Sequence, residues 1–447
     1  MNENRKVPKR ISQTVLNSLK GGVVPRIGLP YVTVGRKSEI EALLHDVEII
    51  SEGGASFRFI VGRYGSGKSF LLQTIRNYVM ERGFIVADAD LSPERRLQGT
   101  HGQGLATYRE LISNLSTKTK PEGGALTLVL DRWISAVQSE AVQETGLMPG
   151  DPALAAATDK KIYAVTSSVS ELVHGFEFAR LLSAYYRAYL NGDDETKGKV
   201  VRWFRGEYTL KTEAREALGI NMIITDDDWY DYLKLFASFF RLAGYTGMMI
   251  MIDELVNIYK IPNSITRQYN YEKLLTMYND SLQGRAPYLG LFFGGTPAFL
   301  EDQRRGLFSY EALKSRLSDG RIASQGGYRN LMGPIIRLKR MSDNELLALC
   351  RRVTLLHGQY HGQPSRITEE QIRHFLLLCL DRAGTDSMIT PREIIREYIT
   401  VLDVMLQYPA KSYYEIIGEA PPDLKHAPDA EDEESAAGAL TIENFDL

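Results

Sequence analysis

A glycine-rich loop between two apolar segments constrains the fold more than any other part of this sequence. The segment 59-FIVGRYGSGKSFLLQTIR-76 fits the pattern G-x-x-x-x-G-K-[ST], with a β-like apolar run before it and an amphipathic run after it. In this pattern the glycines let backbone N–H groups close around phosphates. Lys68 supplies charge to the β- and γ-phosphates, and the Ser69 hydroxyl takes a Mg²⁺ position. The loop therefore predicts nucleotide binding through Gly62, Arg63, Tyr64, Gly65, Ser66, Gly67, Lys68 and Ser69.

A pair of acidic residues after a later apolar run narrows the possible uses of this loop. A phosphate loop alone occurs in small-molecule kinases, switch GTPases, transport pumps and DNA-remodelling motors. The run GMMIMIDELVNIY places Asp253 and Glu254 at the end of its apolar part. An Asp there can hold the water shell of Mg²⁺, and a Glu directly behind it can polarise the attacking water. The pair could instead serve as a helix N-cap, but beside a phosphate loop it favours hydrolysis over small-molecule kinase chemistry.

Five short apolar runs separated by helical segments predict an α/β fold. Continuous apolar strands with helices between them are typical of a parallel sheet that is covered on both faces. Residues 105–246 have Tyr and Phe at helical spacing, which favours a packed helical insertion over a base-stacking surface. The expected fold is a P-loop NTPase core with this insertion, a C-terminal helical lid, and strands at 56–61, 84–91, 248–253, 288–295 and 334–338.

The length of 447 residues and the distribution of charge predict how the chain is organised. The tail beyond residue 418 has nine acidic side chains and one lysine, so it carries −8 and leaves +5 on the rest, for a total of −3. A mildly basic body is compatible with a nucleic acid partner, and the terminal LTIENFDL could act as a short linear peptide. The predicted bounds are a loose basic arm at 1–24, core segments at 25–104 and 247–340, the insertion at 105–246, the lid at 341–418 and a disordered acidic tail at 419–447.

The sequence has no feature that predicts export or membrane insertion. It contains no run of 18 or more apolar residues, and MNENRKVPKR at the N-terminus lacks the apolar segment of a secretory signal. Cys350 and Cys379 each lie in an apolar helical pattern, which favours buried thiols in a reducing compartment. We therefore expect a cytoplasmic protein.

Further polar residues are candidates for sensing a terminal phosphate. Thr296 ends the fourth apolar run, where it would lie beside the γ-phosphate, although the GGTP sequence could be only a turn. Arg304, Arg305 and Arg316 lie in the segment that follows, and arginines from a neighbouring subunit often complete such sites. Arg392 follows a proline in the first turn of a predicted helix, where a cation opposes the helix dipole and so needs another reason to be there.

A histidine pair in the predicted lid has the spacing of metal ligands. His357 and His361 are four residues apart in HGQYH, on one face of a helix. No third ligand is apparent nearby in the sequence, and exposed histidine pairs on helices are common. The sequence alone therefore favours a solvated pair over a metal site.

The order of these motifs resembles the AAA+ ATPases. The segments GRKSE, GRYGSGKS, IDE, FFGGTP, SRLSD and TPRE follow one another as in the origin-recognition and initiator-loader branch of that superfamily. More narrowly, GGASFRFIVGRYGSGKSFLLQTIR, DADLSPERRLQG, TYRELISNLSTKTKPEGGAL, MIDELVNIYK and GLFSYEALKSRL are similar to the ATP-binding proteins of the BREX phage-exclusion systems, the BrxC/BrxD family. The resemblance covers about residues 25–410, and the length is that of the shorter, D-type members.

The resemblance implies a role for each candidate residue. Gly62–Ser69 becomes the Walker A loop, and Asp253 with Glu254 becomes Walker B. Thr296 takes the sensor 1 position, which is commonly Asn, and Arg392 takes sensor 2. The arginine finger would be Arg316, with Arg304 and Arg305 as alternatives, and Gly35 with Arg36 would lie beside the adenine.

The resemblance also implies an activity and partners. ATP with Mg²⁺ would be bound and hydrolysed at the interface of a homo-oligomer, and the work would act on DNA or on a DNA-bound complex of defence-system proteins. One alternative is a nucleotide-dependent switch or scaffold with little turnover, which presents its helical insertion or its tail to a protein partner. Another is a signal-transduction ATPase that acts with a kinase or phosphatase.

Overall fold

The computed structural model of the chain describes residues 7–148, 151–318, 329–382 and 390–418. The chain forms two compact units: a sheet unit, Arg36–Lys339, and a helical unit, Met1–Gly35 with Arg340–Leu447. The acidic tail predicted at 419–447, with its LTIENFDL end, lies outside the described residues.

Each of the five predicted apolar runs forms a strand of one sheet. Within the described residues the sheet has five strands in the order β2-β3-β4-β1-β5, and every neighbouring pair is parallel. The prediction of a parallel five-stranded sheet is therefore confirmed. The strands are β1 (Ala55–Val61), β2 (Ile85–Asp90), β3 (Met248–Asp253), β4 (Leu289–Gly295) and β5 (Ile335–Arg337).

Both faces of the sheet are covered, which explains why its strands are apolar along their whole length. On one face Ile60, Met249 and Phe292 pack against helices α2 (Lys37–Ser51) and α3 (Lys68–Glu81). Strand residues of the opposite parity, among them Phe57, Phe59, Ile250 and Phe293, point into the second core, which also contains residues of α12 (Ser264–Leu282). Successive side chains of a strand point to opposite faces, so each strand contributes to both cores.

The segment between β2 and β3 is built from helices around an aromatic core. Trp133 and Phe239 pack edge to face with ring centroids 5.0 Å apart, and Phe178 packs on Phe204 at 4.8 Å. All four rings are buried, so the aromatic residues of this segment make a core, as their spacing predicts. Its helices within the described residues are α4 (Gln103–Ser113), α5 (Leu126–Thr145), α6 (Pro152–Ser170), α7 (Gly175–Asn191), α8 (Asp194–Phe204), α9 (Lys211–Leu218) and α10 (Trp229–Leu242).

Three short helices follow the ends of β3 and β4 in the sheet unit. They are α11 (Val256–Tyr259), α13 (Pro297–Glu301) and α14 (Glu311–Leu317). Thr296 caps α13, since its side-chain oxygen accepts the backbone N–H of Phe299 at 3.2 Å.

The helical unit combines a helix from the N-terminal segment with the C-terminal helices. The segment expected to be a loose basic arm contains helix α1 (Lys9–Lys20), whose Val15 and Leu16 are buried. An apolar stripe with a hydrophobic partner favours a packed helix over a solvated arm, and α1 packs on the first and third of the C-terminal helices. These are α15 (Asp343–His361), α16 (Glu369–Arg382), α17 (Pro391–Gln407) and α18 (Tyr413–Ile417).

Capping and thiol burial in the helical unit follow from its sequence. Ser342 with Glu345, and Thr390 with Glu393, form capping boxes at the starts of α15 and α17. Cys350 and Cys379 are buried, and burial raises the pKa of the Cys350 thiol to about 12. Across the helices of the described ranges, none combines the length and apolar character that a membrane crossing requires.

A buried ion pair fixes the strand that leads into the glycine-rich loop. Arg58 of β1 donates from Nε to Asp46 Oδ2 at 2.6 Å and from Nη2 to Oδ1 at 2.8 Å, and both side chains are almost fully buried. We expect Arg58→Met to lower the free energy of unfolding by about 3–5 kcal/mol, because Asp46 is left buried without its cation. Denaturant titration followed by circular dichroism measures this loss.

A double variant serves as the control for this prediction. Arg58→Met combined with Asp46→Leu removes both charges and should recover a large part of the stability. A single-variant loss below about 1 kcal/mol, the range of exposed pairs, would contradict the role of this ion pair.

Candidate nucleotide-binding site

The glycine-rich loop lies between the end of β1 and the start of α3, as predicted. Gly65 and Gly67 have φ of 76° and 88°, a left-handed conformation that costs glycine least, and Gly67 is the N-cap residue of α3. A Cβ at Gly62 would lie 2.2 Å from Ser66 Oγ, so the start of the loop also requires glycine. The first N–H groups of α3 are left without helical partners and favour an anion. This backbone forms a cradle for phosphate.

Lys68 holds its ammonium group across the loop. Its Nζ donates to the carbonyl oxygens of Gly62 at 2.9 Å and Arg63 at 3.2 Å. Burial lowers the pKa of Lys68, and the nearby carboxylates of Asp253 and Glu254 oppose that shift. The ammonium therefore lies inside the loop, where phosphate oxygens could replace the two carbonyls as acceptors.

A hydrogen bond joins the loop helix to the acidic pair. Ser69 Oγ donates to Asp253 Oδ2 at 2.7 Å, although the two residues are 184 positions apart. Asp253 is the last residue of β3 and is 8% exposed. A hydroxyl and a carboxylate at this separation can act on one Mg²⁺ ion, directly or through its water.

Glu254 adopts a conformation that is unusual for a residue other than glycine. Its φ is 61°, and its backbone N–H donates to Asp253 Oδ1 at 2.8 Å. Such a left-handed conformation costs on the order of 1–3 kcal/mol and persists only where the surroundings impose it. The result is a Glu side chain exposed next to Asp253.

Strand β4 lies between the strands that carry the loop and the acidic pair. Its last residue, Gly295, accepts the backbone N–H of Gly62 at 3.1 Å, so Thr296 follows directly beside the loop. The Thr296 hydroxyl accepts a hydrogen bond as the cap of α13, and its own proton stays available to donate. Gly294 is also constrained, because a Cβ there would lie 2.0 Å from Asp253 Oδ1.

Arg36 supports the loop from a buried position. Arg36 is 7% exposed, and its guanidinium donates to the carbonyls of Ser66 at 2.8 Å and Lys339 at 2.7 Å and also pairs with Glu39 at 3.3 Å. These contacts use the planar donors of arginine to fix backbone. The sequence alone did not reveal this bracing contact, because nothing in it links Arg36 to Ser66.

Asp90 is an acidic residue at this edge that the motif analysis missed. It ends β2 and lies opposite Asp253 in the register of the sheet. The pKa of Asp90 is raised, first by desolvation and then by the charges of Asp253, Glu254 and Asp88, while Arg95 opposes the shift. The rule that found Asp253, an acid at the end of an apolar run, would also have selected Asp90.

The other predicted site residues lie elsewhere. Arg316 is exposed on α14, where its Nη1 donates to Ala312 O at 2.6 Å. Arg305 donates to carbonyls of its own unit, at Tyr259 and Ile261. Arg392 is exposed in the first turn of α17, in the helical unit.

The remaining residues of the predicted nucleotide site are Gly35, Arg63 and Tyr64. The roles of all the predicted site residues remain predictions. Gly35 also belongs to the helical unit and has a φ of 72°. Arg63 and Tyr64 are exposed on the loop itself.

The residues present fit a Mg²⁺-bound nucleotide. Ser66 Oγ is buried and has no hydrogen-bond partner among the described residues, although buried hydroxyls normally have one. The loop amides and Lys68 would hold phosphate oxygens, and Ser69 with Asp253 would hold Mg²⁺.

Comparison with known protein families identifies the chain. The family of BREX system ATP-binding proteins BrxC/D matches residues 7–420. The chain belongs to this family. Membership indicates an ATP-binding role in phage defence, in agreement with the loop geometry. No curated protein matches the chain.

The contact between Gly294 and Asp253 yields a test of the site. Gly294→Ala places a methyl group against the Asp253 carboxylate, so we expect the affinity for Mg²⁺-ATP to fall at least about tenfold, a loss of about 1.4 kcal/mol. Binding of a fluorescent ATP analogue measures the change, with Lys68→Ala as the variant expected to bind very weakly.

Gly198→Ala is the matched control for this substitution. Gly198 lies in α8, and a Cβ there meets nothing within 4 Å. Unchanged affinity in Gly294→Ala would contradict a role for the Asp253 position in binding.

Proposed function

We propose that this chain is a Mg²⁺-dependent AAA+ ATPase that acts on DNA, or on a DNA-bound partner complex, in phage defence. The observation that carries the proposal is the hydrogen bond from Ser69 Oγ to Asp253 Oδ2 at 2.7 Å, because it brings the phosphate loop and the acidic strand end together. The D-type assignment within the family and the AAA+ branch are part of this proposal.

In this proposal each residue at the sheet edge has a separate role in ATP hydrolysis. The loop amides and Lys68 bind and orient the phosphates, which prepares an in-line attack. Glu254 is exposed beside Asp253 and accepts a hydrogen bond from the attacking water. Thr296 donates its hydroxyl proton towards the γ-phosphate. Mg²⁺, when bound by Ser69 and Asp253, neutralises charge on the phosphate oxygens.

Turnover in this proposal requires an assembly of several chains. Arg316 is exposed on α14, and in this proposal it contacts the nucleotide of a neighbouring subunit. Arg392 in the helical unit reports the state of the nucleotide to that unit. Loss of the γ-phosphate would then change the contacts of both arginines and drive movement of the lid.

One observation favours a second function, a nucleotide-dependent switch with little turnover. The helical insertion exposes large apolar side chains at its α6–α7 end, where Val173 is 66% and Phe176 is 65% exposed. Exposed apolar groups of this kind suit contact with a protein partner. In this function ATP holds the conformation that presents the insertion.

The rate of ATP hydrolysis with and without DNA distinguishes the two functions. We expect duplex or single-stranded DNA to raise the steady-state rate several-fold, because the proposed work is done on nucleic acid. Glu254→Gln should keep ATP affinity within about twofold but lower turnover at least about a hundredfold, since the water loses the charged carboxylate that polarises it.

Glu272→Gln serves as the matched control, because it removes an acid on α12 that belongs neither to the loop nor to a strand end. Normal turnover in Glu254→Gln would remove this residue from the mechanism. If the unaltered chain hydrolyses ATP at a rate near that of Glu254→Gln, both with and without DNA, the switch function is favoured.

Mixing two inactive variants tests the contribution of Arg316 from a neighbouring subunit. Arg316→Ala retains an intact loop, and Lys68→Ala retains Arg316, so mixed assemblies contain some complete sites. We expect the mixture to hydrolyse ATP faster than the sum of the separate variants. Lys314→Ala, on the same helix, should be active by itself, and a mixture without gain would contradict the proposed role of Arg316.

A further inference from the structure

A cluster of three metal-ligating side chains lies in the helical unit. His357 and His361 lie on α15, and Asp403 lies on α17. One ligand atom from each residue lies within 4.8 Å of the other two. The sequence shows the histidine pair without a third ligand, and α17 supplies that ligand 46 positions beyond His357.

The geometry points to a binding site for a first-row divalent metal ion at His357, His361 and Asp403, and we propose Zn²⁺ as the ion it suits best. Two imidazoles and one carboxylate are ligands that Zn²⁺ accepts, and three protein ligands leave a fourth position for water. Imidazole ligands favour such an ion over Mg²⁺ or Ca²⁺, which prefer oxygen.

The three groups are close to the arrangement that a metal requires. His357 Nε2 lies 3.1 Å from Asp403 Oδ1, and the two imidazole centroids are 4.5 Å apart. Bonds of about 2.0–2.1 Å in a tetrahedral site place ligand atoms about 3.4 Å apart. To reach this spacing, the His361 imidazole has to move closer to the other two ligands. It can do so by rotation, because His361 is exposed at the end of α15.

Burial and charge around the cluster suit metal binding. His357 is 3% exposed, so a metal ion bound by it would be partly shielded from bulk water. Lys20 Nζ lies 2.6 Å from Asp403 Oδ2, whereas His357 contacts the other oxygen, Oδ1. Lys20 thus orients the carboxylate while Oδ1 stays directed to His357. The exposed His361 leaves a path from solvent.

A metal at this position would link two helices of the same unit. Its ligands come from α15 and α17, which both also contact α1. A ligand that binds only the folded state stabilises that state. Zn²⁺ should therefore stabilise the helical unit, independently of the ATPase chemistry proposed for the sheet unit.

Calorimetric titration of the full chain with ZnCl₂ tests the site. The protein is prepared without a polyhistidine tag, stripped with a chelator and titrated in excess Mg²⁺. We expect one Zn²⁺ per chain and a higher melting temperature with Zn²⁺. His361→Ala and Asp403→Asn should each weaken binding at least about tenfold and remove the rise in melting temperature. His361 is exposed, so its removal leaves the fold intact.

Two controls identify where the metal binds. His101→Ala removes an exposed histidine of the sheet unit and should bind Zn²⁺ as the unaltered chain does. Asp253→Asn should also keep the site, because it changes only the nucleotide region. Equal Zn²⁺ affinity in His361→Ala, no binding by the unaltered chain, or loss of binding only in Asp253→Asn would each overturn the proposal.

Discussion

The structure around the nucleotide region depends on one hydrogen bond, from Ser69 to Asp253. It joins the first turn of α3 to the last residue of β3. For it to form, β4 must lie between β1 and β3, and Gly294 must leave room for the carboxylate. Asp253 uses its other oxygen to hold the backbone of Glu254 in a left-handed conformation. The Asp253 carboxylate therefore fixes the Ser69 hydroxyl with one oxygen and the Glu254 backbone with the other.

The sheet could be predicted from the sequence because its signal is local. Each strand is an apolar run bounded by polar or glycine-rich segments, and coverage on both faces makes these runs continuous. The N-terminal segment shows the limit of this approach. Its lysines and arginines suggest a solvated arm, yet Val15 and Leu16 form a buried stripe against α15 and α17. The helices against which this stripe packs lie more than 300 residues away in the chain, so no local pattern reveals them.

The residues of the candidate site also differ in whether a local sequence pattern reveals them. The loop and the Asp253–Glu254 pair are contiguous motifs, so the sequence alone reveals them. The contact of Arg36 with Ser66 O, and the approach of Asp403 to His357, join segments that no local pattern relates. Asp90 is different, because its position at the end of an apolar run was visible. The local pattern alone does not show that Asp90 lies opposite Asp253, because the two strands that carry them are separated by the whole helical insertion.

The composition of the helical unit has a consequence for biosynthesis. Helix α1 precedes the sheet unit in the chain, so it is synthesised before that unit, and the helices against which it packs are synthesised only after the whole unit. The sheet unit is one continuous segment and can fold as soon as it emerges. Helix α1 must meanwhile remain with its apolar stripe exposed, since contacts between distant segments form slowly. Chaperones, or an early partner protein, would find α1 accessible during that interval and hidden afterwards.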